Sequence, residues 1–104
     1  MAANLNSMQL KAIFGSVFVE LSGLKELDLS ENRIQRLDEA TFQGLGHSLV
    51  SLNLANGLRM NNLPAGLLDR LPSLNHLDLS SGSLVTLSDT IFAHSSKLSH
   101  LNLR

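Results

Sequence analysis

The 104-residue chain predicts a solenoid of the α/β class, in which short parallel strands, one per turn, are joined by short 3₁₀ or helical return segments. Three observations predict it. Nearly one position in four is leucine while the aromatics are four Phe, so one residue type fills one recurrent slot. The pattern LxxLxL starts at Leu24, Leu49, Leu74 and Leu98, in successive steps of twenty-five, twenty-five and twenty-four. Within LxxLxL the apolar positions 4 and 6 alternate with polar 3, 5 and 7, the period of two that a strand with one buried face requires.

The turns follow in order. Taking Leu24 as position 1 places Leu27, Leu29, Asn32, Ile34, Leu37, Phe42 and Leu45 at positions 4, 6, 9, 11, 14, 19 and 22 of a turn spanning residues 24–48. Counting back by one repeat length of twenty-four puts Leu5, Leu10, Ile13, Phe18 and Leu21 in the same frame, in an N-terminally incomplete turn over residues 1–23. Residues 49–73 form the next turn with Leu52 and Leu54. Residues 74–97 follow with Leu77, Leu79, Gly82, Leu84, Leu87 and Phe92, and residues 98–104 open another with Leu101 and Leu103. All of this is one array with no capping segment. One extra residue fits the Gly44-Leu45-Gly46-His47 connection. The other fits within Asn56 to Asn62, where Leu58 or Met60 fills position 11 and Leu63, Leu68 and Leu71 follow one place late.

Each strand is expected to be about five residues long and to stack about 4.8 Å from the next, so that every leucine position becomes a column of one core. At roughly 1.5–3 kcal/mol per buried Leu or Phe, seven sites per turn hold together what one isolated turn cannot. Phe18, Phe42 and Phe92 are expected in one such column. The return segments, such as Asp38-Glu39-Ala40-Thr41-Phe42 and Ala65 to Leu71, have room for a 3₁₀ turn or one to two turns of helix.

Residues 24–45, LKELDLSENRIQRLDEATFQGL, match LxxLxLxxNxIxxLxxxxFxxL at every defined position. The chain thereby resembles the leucine-rich repeat family, in its typical 24-residue subclass. The resemblance implies a right-handed solenoid with a parallel concave sheet and short convex segments, and a position-9 Asn that bonds the backbone of neighbouring turns. That Asn is present as Asn32 and replaced by Met8, Gly57 and Gly82, with Asn56, one place early, the candidate substitute in its own turn. The subclass is commonest in extracellular adhesion and receptor arrays such as chaoptin, connectin and the Toll-like receptors, with chaoptin-like arrays an especially close resemblance.

The resemblance places strand positions 2, 3, 5, 7 and 8 on the concave face. The candidate partner-binding residues there are Lys25, Glu26, Asp28, Ser51, Asn53, His76, Asp78, His100 and Asn102. Position 5 reads Asn4, Asp28, Asn53, Asp78, Asn102. This alternation keeps aspartates about 9.6 Å apart and lets each amide donate to a neighbouring carboxylate. Such a ladder reads either as a solvated surface that tolerates stacking or as a ligand-facing one. His76 and His100 share position 3 on adjacent strands near Asp78. Two imidazoles and a carboxylate without a fixed third ligand are commoner as surface polar residues than as a metal or pH-sensing site. The serines stand on no strained elbow and no oxyanion hole accompanies them, and the glycines form no phosphate loop.

Composition narrows the classes further. At 43% hydrophobic the chain is too apolar for disorder, and without Cys it is neither a disulfide miniprotein nor a Cys-ligated zinc module. A net charge of -1 gives no reason to expect nucleic acid. The apolar run from Ala12 to Val19 is far short of the roughly 20 residues that insert directly into a membrane. No cofactor or metal is expected. The chain opens inside a repeat and closes on LSHLNLR in mid-strand, as an internal piece of a longer array or a truncated product would. Exposed apolar ends and free strand edges then favour end-to-end self-association. The function expected is a non-catalytic protein-interaction scaffold that takes a protein ligand or a homophilic partner, at the cell surface or outside the cell. The alternative is a cytoplasmic adaptor or regulatory subunit, which the lack of Cys and of Asn-x-Ser/Thr sites favours.

Overall fold

The computed structural model describes residues 2–13, 18, 23–38, 40–64, 66–84, 86, 87, 91–93 and 95–104. Leu21, Glu39 and Ala65, which the repeat frame uses, lie outside the described residues. The described strands are β1 (Ala2–Asn4), β2 (Ala12–Ile13), β3 (Glu26–Asp28), β4 (Arg36–Leu37), β5 (Ser51–Asn53), β6 (His76–Asp78) and β7 (His100–Asn102). Strands β1, β3, β5, β6 and β7 lie side by side, all parallel, in one sheet. Ala2, Glu26, Ser51, His76 and His100 share one register row, so the sheet advances by the same interval that separates the leucines.

The strands are three residues long where five are expected, yet their hydrogen bonding continues. Leu29 N–H donates to the Asn53 carbonyl at 2.8 Å and Glu31 N–H to the Ala55 carbonyl at 2.9 Å; Leu54 and Asn56 repeat this on Asp78 and Ser80, both at 2.8 Å. The pleat ends because position 8 of every described turn is left-handed: Ser7, Glu31, Asn56 and Ser81 have φ of 55°, 55°, 53° and 55°. A residue there swings the chain out of the sheet. It then enters a second parallel pairing, β2 with β4, extended by a bridge between Ile34 and Leu58.

That bridge settles position 11. Leu58 fills it, with no exposed surface, while Met60 is half-buried. The bridged pair Ile34 and Leu58 is separated by one residue fewer than the paired strand residues Glu26 and Ser51. This turn is therefore one residue shorter after the strand and regains two residues before Leu63. Asn56 does not substitute for the missing position-9 Asn: it is exposed, and its side chain forms no hydrogen bond among the described residues. Gly57 closes the shortened loop instead. Its N–H donates to the Leu54 carbonyl at 2.9 Å, and a Cβ there would stand 2.6 Å from the Leu29 carbonyl oxygen. The other extra residue lies where expected. Leu49 N–H bonds back four residues to Leu45, whereas Leu74 and Leu98 bond back three, to Leu71 and Ser95.

The core is the set of leucine columns: Leu24, Leu49 and Leu74; Leu27, Leu52 and Leu77; Leu29, Leu54 and Leu79 are all buried. Phe18 and Phe42 stack with ring centroids 6.1 Å apart. Phe92 departs from the expected column. It is half-buried, and Ile91 beside it takes the covered place. Ser95 occupies the slot that Leu45 and Leu71 fill in earlier turns, and its buried Oγ has no hydrogen-bond partner among the described residues. The described return segments are turns plus one 3₁₀ turn, Leu68–Arg70. Thr41 ties two of these windings, its buried Oγ1 donating to the Ile13 carbonyl at 2.7 Å.

Asn32 is the strongest polar tie between turns. Its Nδ2 donates to the carbonyls of Leu5 (3.1 Å), Leu29 (2.9 Å) and Ser30 (3.1 Å), and its Oδ1 accepts from the N–H groups of Met8 (3.0 Å) and Leu10 (3.1 Å). The family resemblance implies this role for the residue, and the geometry bears it out.

Candidate functional site

The outward face of the five-stranded sheet brings eight of the nine candidate residues together, because the period of two that sends Leu27, Leu52, Leu77 and Leu101 to one side sends their neighbours to the other; Lys25, two residues before Leu27, does not follow from that alternation. Glu26, Ser51, His76 and His100 form one row and Asp28, Asn53, Asp78 and Asn102 another. Lys25 stands exposed just before β3. Two shallow depressions mark the face. One of about 320 Å³ runs between Asn4, Glu26, Asp28, Ser51 and Asn53, and one of about 370 Å³ lies over His76, Ser99, His100 and Asn102.

The position-5 row has a local task that the residue types alone leave open. In all five turns its side-chain Oδ1 accepts the backbone N–H two residues on: Asn6 onto Asn4 (3.0 Å), Ser30 onto Asp28 (2.9 Å), Ala55 onto Asn53 (2.9 Å), Ser80 onto Asp78 (2.9 Å) and Arg104 onto Asn102 (3.1 Å). These Asx turns explain why only Asn and Asp stand there, since both carry an acceptor at the right reach. The expected amide-to-carboxylate bonds between strands do not form among the described residues; the Asx turn orients each side chain along its own strand. The signal was present as an unbroken Asn/Asp series just before a left-handed residue.

Among the nine, the carboxylates of Asp28 and Asp78 therefore keep Oδ2 for a ligand, with Ser30 Oγ also donating to Asp28 Oδ1 at 2.6 Å. The imidazoles of His76 and His100 stack with centroids 5.0 Å apart and planes 18° apart, both exposed. Ser99 Oγ lies 2.9 Å from His100 Nδ1 and holds that ring's orientation. Among the described residues no three His, Cys, Asp or Glu side chains gather as a metal-binding group. The face thus offers fixed carboxylate oxygens, amides and a flat pair of rings on a backbone that every turn pins twice.

The leucine rich repeat family model matches residues 4–56. The chain is 41% identical over 56 residues to Chaoptin of Drosophila melanogaster, covering 54% of this chain and 4% of that protein. It is 39% identical over 87 residues to the transforming growth factor beta activator LRRC32 of Mus musculus, covering 80% of this chain and 13% of that protein. It is also 36% identical over 84 residues to Toll-like receptor 8 of Homo sapiens, covering 80% and 8%. The chain therefore spans a small part of the length of the relatives it matches.

Proposed function

The chain belongs to the leucine-rich repeat family, and from that premise we propose that it is a non-catalytic scaffold that presents the outward face of its five-stranded sheet to a protein partner, in the setting of a cell-surface adhesion or receptor array. The observation that carries this reading is the five-fold repetition of the Asx turn, which holds the polar rows in place before any partner arrives. A pre-ordered surface loses little conformational freedom on binding, so more of its contact energy appears as affinity. Similarity to Chaoptin, whose arrays the repeat pattern resembles, and to Toll-like receptor 8 supports the cell-surface setting.

Asp28→Asn/Asp78→Asn is the clean test, because asparagine keeps the Oδ1 acceptor and removes only charge. His76→Ala/His100→Ala removes the ring pair. With the intact protein bound to its partner, each double variant is expected to weaken affinity at least ten-fold at unchanged thermal stability. Unchanged affinity in both, with loss on changing the return-segment residues Asp69 and Arg70, overturns the assignment.

A further inference from the structure

The net charge of -1 conceals a segregation that only the winding reveals. Where the chain leaves the sheet and passes through the β2–β4 pairing, Ile13, Ile34, Leu37 and Leu58 turn inward and their neighbours outward. The described outward residues of this flank include Lys11, Arg33, Arg36 and Arg59, all exposed. The remainder are uncharged, among them Gln9, Gln35 and Asn61. Half of the chain's eight Lys and Arg therefore stand on one flank. Four of its nine Asp and Glu, namely Glu26, Asp28, Glu31 and Asp78, stand on or beside the sheet face.

The four cations are close. Gln35 N–H donates to the Lys11 carbonyl and Arg59 N–H to the Ile34 carbonyl, which sets Lys11, Gln35 and Arg59 on successive rungs. Lys11 and Arg59 are thus about 10 Å apart across the ladder, and Arg33 and Arg36, three residues apart on the middle rung, about 10 Å along it. Among the described residues none of the four forms an ion pair; Arg59 donates one guanidinium N–H to the Leu58 carbonyl at 3.1 Å. A depression of about 290 Å³ opens between Arg33 and Arg59. Its one carboxylate, Glu31, accepts from Ser7 Oγ at 2.9 Å; Asp38, outside the depression and just past β4, holds the Ala40 N–H at 3.0 Å.

We propose that this flank binds a sulfated polysaccharide, independently of the sheet face. Four close cations that outnumber the carboxylates beside them, Glu31 and Asp38, favour a ligand that brings several anions at fixed spacing. Guanidinium forks suit sulfate oxygens, which accept in pairs. The flank's described residues include no aromatic ring on which a base would stack, and the large apolar side chains beside it, Met8 exposed and Met60 half-buried, are too few to anchor it in a bilayer, so a glycan fits better than nucleic acid or membrane.

Retention of the intact protein on immobilised heparin, with the eluting salt as readout, tests the idea. The chain is expected to bind at low ionic strength, with log affinity falling against log salt at a slope no steeper than about four. Arg33→Gln/Arg59→Gln is expected to lower affinity at least ten-fold, and Arg70→Gln/Lys97→Gln, an equal change in net charge elsewhere, to leave it within two-fold. The four side chains changed are all exposed, so circular dichroism should be unaltered. Absence of retention, equal loss in both double variants, or equally tight binding to duplex DNA or anionic vesicles overturns the proposal. Since Asp28→Asn/Asp78→Asn should not weaken heparin binding, the two surfaces fail or stand separately.

Discussion

Replacing Asn32 by alanine removes five hydrogen bonds at a residue with 2% of its surface exposed. The cost follows from what each partner has left. The Ser30 carbonyl keeps the Ser7 N–H at 3.1 Å, so it loses little. The carbonyls of the half-buried Leu5 and the buried Leu29 have no other donor among the described residues, and an orphaned buried polar group costs about 1–3 kcal/mol. Met8 and Leu10 are less covered, and water takes over part of their N–H bonding. The sum is about 2–5 kcal/mol, a large share of the roughly 5–15 kcal/mol typical of a small domain. In urea, with a slope of about 1.5 kcal/mol/M, the midpoint should fall by roughly 1–3 M. Because a solenoid couples only neighbouring turns, the loss should concentrate in the first turn. Amide exchange should accelerate at Leu5 and Ser7, which donate to Asp28 and Ser30, and change little at Leu79, which donates to Asn102. A midpoint within about 0.3 M of the parent, or acceleration spread evenly over all turns, would refute the view that Asn32 ties these two windings together.

Gly57→Ala should destabilise by about 1–3 kcal/mol, because its Cβ would meet the Leu29 and Leu54 carbonyl oxygens at 2.6 and 3.1 Å. Gly23→Ala, with nothing within 4 Å, should be neutral or slightly stabilising, and the pair is compared by chemical denaturation. Ser95→Ala should raise stability by about 1 kcal/mol by removing an unpartnered buried hydroxyl, seen as a rise of about 4 °C in the thermal midpoint; a fall would mean that the hydroxyl has a partner in solution.

The leucine frame was legible because its physics is one-dimensional: a side chain that must be buried in every turn returns at a fixed interval, and the register rows repeat that interval residue for residue. Where the frame slips, spacing alone had less to offer. Leu58 and Met60 are both apolar and near position 11, and only the bridge to Ile34 distinguishes them. A net gain of one residue between Leu54 and Leu74 also conceals a loss and a larger gain within the same turn. Phe92 shows a further limit. Its frame position marks it as core, but core depends on what packs beside it, and Ile91 takes the covered place.

The binding faces were legible to different degrees for a related reason. Sheet-face residues follow from alternation within a strand, so eight of the nine candidates fall on one surface, and Lys25, just before β3, is exposed without following from it. Whether Asp28 and Asn53 serve the fold or a ligand depends on a backbone N–H two residues away, which hydrophobic periodicity does not track. The turn uses only Oδ1, which Asn and Asp share, and leaves Asp Oδ2 or Asn Nδ2 outside it, so the two residue types alternate down the row while the turn is kept in every winding. The basic flank was hidden by summation. Lys11, Arg33, Arg36 and Arg59 are dispersed over nearly half of the sequence, and the winding of the solenoid brings them within about 10 Å of one another. In such a fold, charge is best counted by frame position. Positions 2 to 8 then carry an acidic excess and positions 10 to 13 a larger basic one, and the net charge of -1 is reached only because the remaining positions, with five Asp and Glu against Arg70 and Lys97, are acidic as well.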